Sequence, residues 1–112
     1  MVFAKTTLFD AKLQEGALFF KALSHPARLH ILRYLSQIKS CITGDISEEL
    51  PLGRTTVNQH LAELKKAGLI QGHVSGKKTN YCLNPKKIEQ LKSFCESFFE
   101  EIETIDFKCE QL

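Results

Sequence analysis

Thr55, Thr56, Asn58 and Gln59 fall in one stretch, Pro51 to Gly68, which reads PLGRTTVNQHLAELKKAG. Hydroxyl and amide side chains both donate and accept hydrogen bonds, which is the chemistry needed to pair with base edges in a DNA major groove. Arg54 and Lys66 bracket the group with positive charge suited to phosphate oxygens. The spacing is helical. Val57, Leu61 and Leu64 share one stripe at i, i+4 and i+7, and that stripe must be buried. Thr55, Gln59 and Lys66 then point the opposite way, with Asn58, Ala62 and Glu63 beside them. An ordinary surface helix would carry the same polar face, so the surrounding elements decide between the two readings.

A short helix is expected from near Thr43, with Thr43 as N-cap, Asp45 in its first turn, and Ile46 and Leu50 as its buried pair. Pro51-Leu52-Gly53 breaks the chain, the reading helix starts at Arg54, and Gly68 ends it. Two helices around a three-residue turn containing glycine make a helix-turn-helix over about residues 43–67. LIQGHV, SGKKT and NYCL then predict a β-hairpin over about 69–83, with Lys77 and Lys78 at its tip. A hairpin directly after a reading helix is a wing, and a basic tip suits the neighbouring phosphate backbone. A solvated turn using lysine for solubility is the plainer alternative for the tip alone.

Upstream, a helix is expected over 7–22, with Leu8, Ala11 and Phe19 on its apolar side and Gly16 against it. SHPARLHILRYL opens the next helix, capped by Ser24 or His25, with Pro26 in the first turn. Leu29, Leu32 and Leu35 are expected inward, widened by Ile31 and Ile38. Asn84-Pro85 opens a last helix over about 85–105, with an apolar stripe through Ile88, Leu91, Cys95, Phe98, Phe99, Ile102 and Ile105. The chain reads as one mostly α domain, residues 1–112, with a small β-hairpin wing: a winged helix-turn-helix.

Net charge is only +2, but it is unevenly spread. Residues 51–87 carry seven basic side chains against Glu63 alone, a net +6, whereas residues 88–112 are net −5. Attraction to nucleic acid comes from such local patches and not from the total. Hydrophobic content of 43% and charged content of 25% are ordinary for a globular protein. No apolar run is long enough for a membrane span. The opening MVFAKTTLFD lacks the apolar region and cleavage site of a signal peptide, so a cytoplasmic protein is expected. No nucleophile–base pair, carboxylate pair or phosphate loop stands at a usable spacing, so an enzyme is not expected.

Three segments, KALSHPARLHILRYL, TTVNQHLAELKKAGLI and GKKTNYCL, together resemble the ArsR/SmtB family of small bacterial transcriptional repressors. The resemblance covers roughly residues 18–100 and is carried by the combination of motifs. It implies a winged-helix homodimer that represses transcription until an inducer binds. The phenylalanines agree: all eight lie at positions 3–20 or 94–107. The middle of the chain has an aliphatic core of its own, so aromatic terminal helices need a partner, and aromatics are enriched in interface cores. The first and last helices, 7–22 and 85–105, are therefore expected to form the dimer interface. A palindromic operator on double-stranded DNA would follow, with reading helices about 34 Å apart.

Members of the resembled family often sense metals, and neither of the family's ligand patterns is intact here. Of the CxC motif only Cys41 is present, and Pro85, Lys87, Phe98 and Glu101 stand where the last helix would carry its ligands. The histidines do not compensate. His25 and His30 lie about 140° apart on a helix at 3.6 residues per turn. His60 edges the buried stripe, and His73 sits in a strand. No cofactor is expected. Four cysteines, Cys41, Cys82, Cys95 and Cys109, read first as reduced, mostly buried thiols, Cys82 most clearly. Cys95 and Cys109 would be about 21 Å apart on a continuous helix but could approach across an antiparallel dimer. Cys41, Cys95 and Cys109 are thus the candidates for a thiol sensor of arsenite, another metalloid or reactive sulfur. The function expected is a homodimeric DNA-binding repressor, with Thr55, Asn58 and Gln59 reading bases, Arg54, Lys66, Lys77 and Lys78 holding phosphates, and Thr56 also at the DNA contact. The alternative is a winged-helix module that binds protein and not DNA.

Overall fold

A computed structural model describes residues 8–38, 46, 50–75, 78–106 and 108. Four helices and one hairpin follow in the order α1 (Ala11–Ala22), α2 (Pro26–Ile38), α3 (Arg54–Lys66), β1 (Ile70–Ser75), β2 (Lys78–Leu83) and α4 (Pro85–Glu101). The helix expected to start at Thr43 lies outside the described residues, apart from its apolar pair Ile46 and Leu50, both of which are buried.

Local chemistry sets the helix ends. The Asp10 carboxylate accepts from the Lys12 N–H at 2.9 Å, so α1 starts at Ala11 and not at residue 7. His25 caps α2 with its ring, Nδ1 accepting from the Ala27 N–H at 2.9 Å. Gly68, at φ 82°, takes the left-handed turn that closes α3. The Leu69 N–H reaches back to the Leu64 carbonyl at 3.1 Å and the Gly68 N–H to Lys65 at 2.9 Å, the paired bonds of a Schellman end. Asn84 caps α4, accepting from the Lys87 N–H, with Pro85 in the first turn. That helix stops at Glu101, so Ile105 does not extend its stripe as expected from the sequence; the chain turns at Ile102.

The core gathers Phe19 and Ala22 of α1, Ile31 and Leu35 of α2, Ile46 and Leu50, Val57, Leu61 and Leu64 of α3, and Leu69 and Ile70 at the hairpin's base. It differs from expectation in two ways. The buried face of α2 runs through Ala27, Ile31 and Leu35, whereas Leu29 is 52% exposed. Residues four apart share a face, and position 29 lies about 200° around the helix from both 27 and 31. The aliphatic middle also does not close alone, because Phe19 and Ala22 complete it. Gly16 has a purpose the sequence hid: α1 packs on α4 there, and the Phe94 ring occupies the space a Cβ would take. Phe94 in turn stacks on Phe98, with centroids 5.6 Å apart, and meets Phe20 edge-on at 5.7 Å.

The hairpin pairs Ile70 with Leu83, Gly72 with Tyr81 and Ser75 with Lys78, antiparallel. Its base is anchored by Ile70 in the core and by the Asn84 N–H on the Leu69 carbonyl at 3.0 Å. The outer end extends beyond the core, and Val74 is 77% exposed.

Candidate nucleic-acid interface

One helix presents two chemically different faces. Val57 and Leu64 are fully buried and Leu61 nearly so, which fixes the rotation of α3 about its axis. With that stripe inward, Arg54, Thr55, Thr56, Asn58, Gln59 and Lys66 are all exposed; the wheel places Thr55, Gln59 and Lys66 opposite the stripe and Asn58 beside them, and Arg54 and Thr56 are exposed in the first turn. The first five lie within two turns at the N-terminal end of α3. Lys66 lies about 18 Å along the axis from Arg54, at 1.5 Å of rise per residue. Lys78 opens β2, while Lys77 is outside the described residues. Lys65, in sequence only one of several positive charges, lies with its ammonium over Gly72 of β1, so basic charge continues from the helix onto the wing.

What holds α3 in place is a polar contact no periodicity could reveal. Arg28 of α2 donates from Nε to Nδ1 of His60 at 3.1 Å. Its Nη1 reaches the carbonyls of Lys21 and Ala22 at 3.2 and 3.3 Å. One guanidinium thus joins the end of α1, α2 and the middle of α3. The His25 ring lies against His60, with centroids 4.3 Å apart. His60, at the edge of the α3 stripe, is buried, and its partner is a side chain 32 residues away. Burial lowers its pKa below the ordinary histidine value, and the neighbouring His25 and Arg28 push it the same way. A neutral imidazole is what the contact requires, because Nδ1 must keep its lone pair to accept from Arg28.

The candidate sensor thiols are not brought together among the described residues. Cys41 and Cys109 lie outside them, and Cys95 is a free, half-buried thiol on α4. Cys82 corrects the sequence reading: it is disulfide-bonded and not reduced. It lies in β2 and is half-buried instead of sealed in the core. Among the described residues no three His, Cys, Asp or Glu side chains are placed to hold one metal ion. Lys87, at one of the family's ligand positions, instead lays its carbon stem against Gly68. None of the described helices is long and apolar enough to cross a membrane.

Comparison with known proteins agrees with this geometry. Residues 25–71, from the α2 cap through α3 into β1, match the model for bacterial regulatory proteins of the arsR family. Over 99 residues the chain is 32% identical to the cadmium resistance transcriptional regulatory protein CadC of Listeria innocua, covering 88% of this chain and 82% of that protein. It is 31% identical to an uncharacterized HTH-type transcriptional regulator of Methanocaldococcus jannaschii, covering 71% of this chain and 90% of that one. An ArsR-like transcriptional regulator from Rhodococcus superposes with a TM-score of 0.70 over 84% of this chain and 88% of its own, at 23% identity, which speaks to the fold. A winged helix-turn-helix fold, a matched segment from α2 through α3 and relatives of similar length agree: the chain belongs to the arsR family of bacterial transcriptional regulators.

Proposed function

We propose that the protein is a homodimeric repressor, acting in the cytoplasm on a palindromic operator and released by an inducer. The observation that carries the DNA half is the exposed, uncharged hydrogen-bonding face of α3 opposite a fully buried stripe. In this reading Thr55, Thr56, Asn58 and Gln59 meet base edges, while Arg54, Lys66, Lys77 and Lys78 meet phosphates.

The dimer half is supported by unpartnered apolar surface. Of the ten exposed large hydrophobic side chains among the described residues, eight belong to the two terminal regions: Leu8, Phe9, Leu13, Leu18, Phe20, Phe99, Ile102 and Ile105. No residue of the 17-residue helix α4 is fully buried. An apolar helix in that condition calls for a second surface. A two-fold pairing of α1 and α4 with their copies covers it and sets two α3 helices against one DNA face.

The test is duplex binding over a salt series, using DNA from upstream of the chain's own gene, with the mass in solution read alongside. Specific, salt-steep binding by a species of twice the chain mass is the expected result. Salt-insensitive association with protein and no shift of any duplex would put the interaction-module reading in its place.

A further inference from the structure

A cleft of about 590 Å³ opens between the first turns of α2 and the turn that precedes α3, and no described residue of α1, α3 or α4 lines it. Its walls are apolar: Leu29 from α2, and Leu50 and Leu52 with Pro51 between them from the turn. Leu29, the side chain the sequence placed inside the core, is half-exposed because it lines this opening. Among the described residues the polar groups at the cleft are all of one kind. His25, His30 and Arg33 line it, and no described lining residue is acidic. Arg33 is exposed, and among the described residues neither it nor His30 has a hydrogen-bond or ion-pair partner. The Nδ1 of His25 is occupied by the Ala27 N–H, which leaves its Nε2 carrying the proton as a donor.

An apolar pocket of this size with a few convergent polar groups is the usual form of a small-molecule site. Here those groups are one guanidinium and two imidazoles. A guanidinium presents a fork of N–H donors that matches a carboxylate in two parallel bonds. We infer that this cleft is a ligand site for a small organic carboxylate with an apolar body, aromatic or short-chain aliphatic. The carboxylate pairs with Arg33 and the imidazoles, and the body lies on Leu29, Leu50 and Leu52.

The site is joined to α3 twice. The Leu50–Leu52 turn runs directly into the helix, and His25 lies with its ring on His60. A body seated between α2 and that turn wedges apart the elements whose spacing sets the pose of α3. The ligand therefore lowers DNA affinity. This regulatory half rests on the DNA-binding reading; the binding half does not.

The experiment uses the full-length, isotope-labelled protein and three probes: 4-phenylbutyrate, its neutral amide, and inorganic phosphate, followed by amide chemical shifts. Saturable shifts at Leu29, His30, Arg33 and Leu52 are expected with phenylbutyrate, and binding of the neutral amide about ten-fold weaker. Arg33→Gln, at an exposed position, should weaken the carboxylate about ten-fold and leave the amide unchanged. Saturating phenylbutyrate should lower duplex affinity roughly five-fold or more. The site is overturned by an absence of saturable shifts, by equal binding of acid and amide, or by insensitivity to Arg33→Gln. Equal shifts with inorganic phosphate would assign the cleft to the DNA backbone and overturn the organic ligand. Unchanged duplex affinity at saturation removes the regulatory half. Failure to bind any duplex, with the shifts intact, removes the DNA-binding reading and leaves the site.

Discussion

Replacing Gly16 with alanine should destabilise the protein, although the substitution improves the helix. In an exposed helix interior alanine is favoured over glycine by about 1 kcal/mol. In α1 the new methyl would sit 2.6 Å from Cε1 of Phe94 and closer still to Cζ and Cε2. Carbon atoms rest about 3.5–4.0 Å apart, so the ring must retreat by at least about 1 Å. It is not free to do so, being stacked on Phe98 and set edge-on against Phe20. Overpacking of this kind costs roughly 1–3 kcal/mol. Taking the middle of that range against the helical gain leaves a net loss of about 1 kcal/mol, which lowers Tm by about 4–8 °C for a domain near this size. Thermal unfolding at one fixed protein concentration reads this, since a dimer's Tm depends on concentration. Phe94→Leu removes the obstructing ring, and in that background Gly16→Ala should cease to destabilise. A Gly16→Ala protein more stable than the parent, with Phe94 present, would refute the close packing of α1 on α4.

On the DNA side, Gln59→Ala should cost on the order of 1–3 kcal/mol at one operator position, measured by competition among operator variants. Lys66→Ala should weaken all duplexes alike and reduce the salt slope by about one. Phe99→Glu, at a position 61% exposed in the single chain, should leave the fold intact and shift the protein toward monomer in sedimentation. The lowered pKa of His60 gives stability a pH dependence of definite sign. The unfolded chain takes up the proton near the ordinary histidine value of about 6.5 and the native state only at lower pH. The contribution is therefore present above about pH 6.5 and is lost as pH falls through the lowered value. Denaturant titrations across that range should show it, and His60→Gln should flatten it.

The reading helix was legible in the sequence because a single stripe, Val57, Leu61 and Leu64, fixes both its burial and the residues opposite. The hairpin and the ends at Gly68 and Asn84 were legible for a similar reason, since turn and cap chemistry is local. In α2 the same method placed Ile31 and Leu35 correctly but put Leu29 inside. Apolar residues at 29, 31, 32 and 35 admit more than one inward face, and only the packed neighbours select Ala27, Ile31 and Leu35. Gly16 read as a weak point because its reason lies in a ring 78 positions away. Arg28 and His60 escaped for the same cause: a hydrogen bond across 32 residues leaves no period to detect.

The position of Arg28 has a consequence for angular tolerance. The helix α3 has 13 residues. It is therefore about 20 Å long, and a tilt of about 10° swings its far end by about 3.5 Å. That distance exceeds the span over which a hydrogen bond holds its strength. A hydrophobic stripe alone resists such tilting weakly, because apolar contact is not directional. The guanidinium is directional: it is planar, and its Nε and Nη1 bonds lead to different helices. It therefore works as an alignment pin, and lysine, with one nitrogen, cannot replace it. Arg28→Lys should keep the charge and the core yet blur the match between protein and operator, so that specificity falls before stability does.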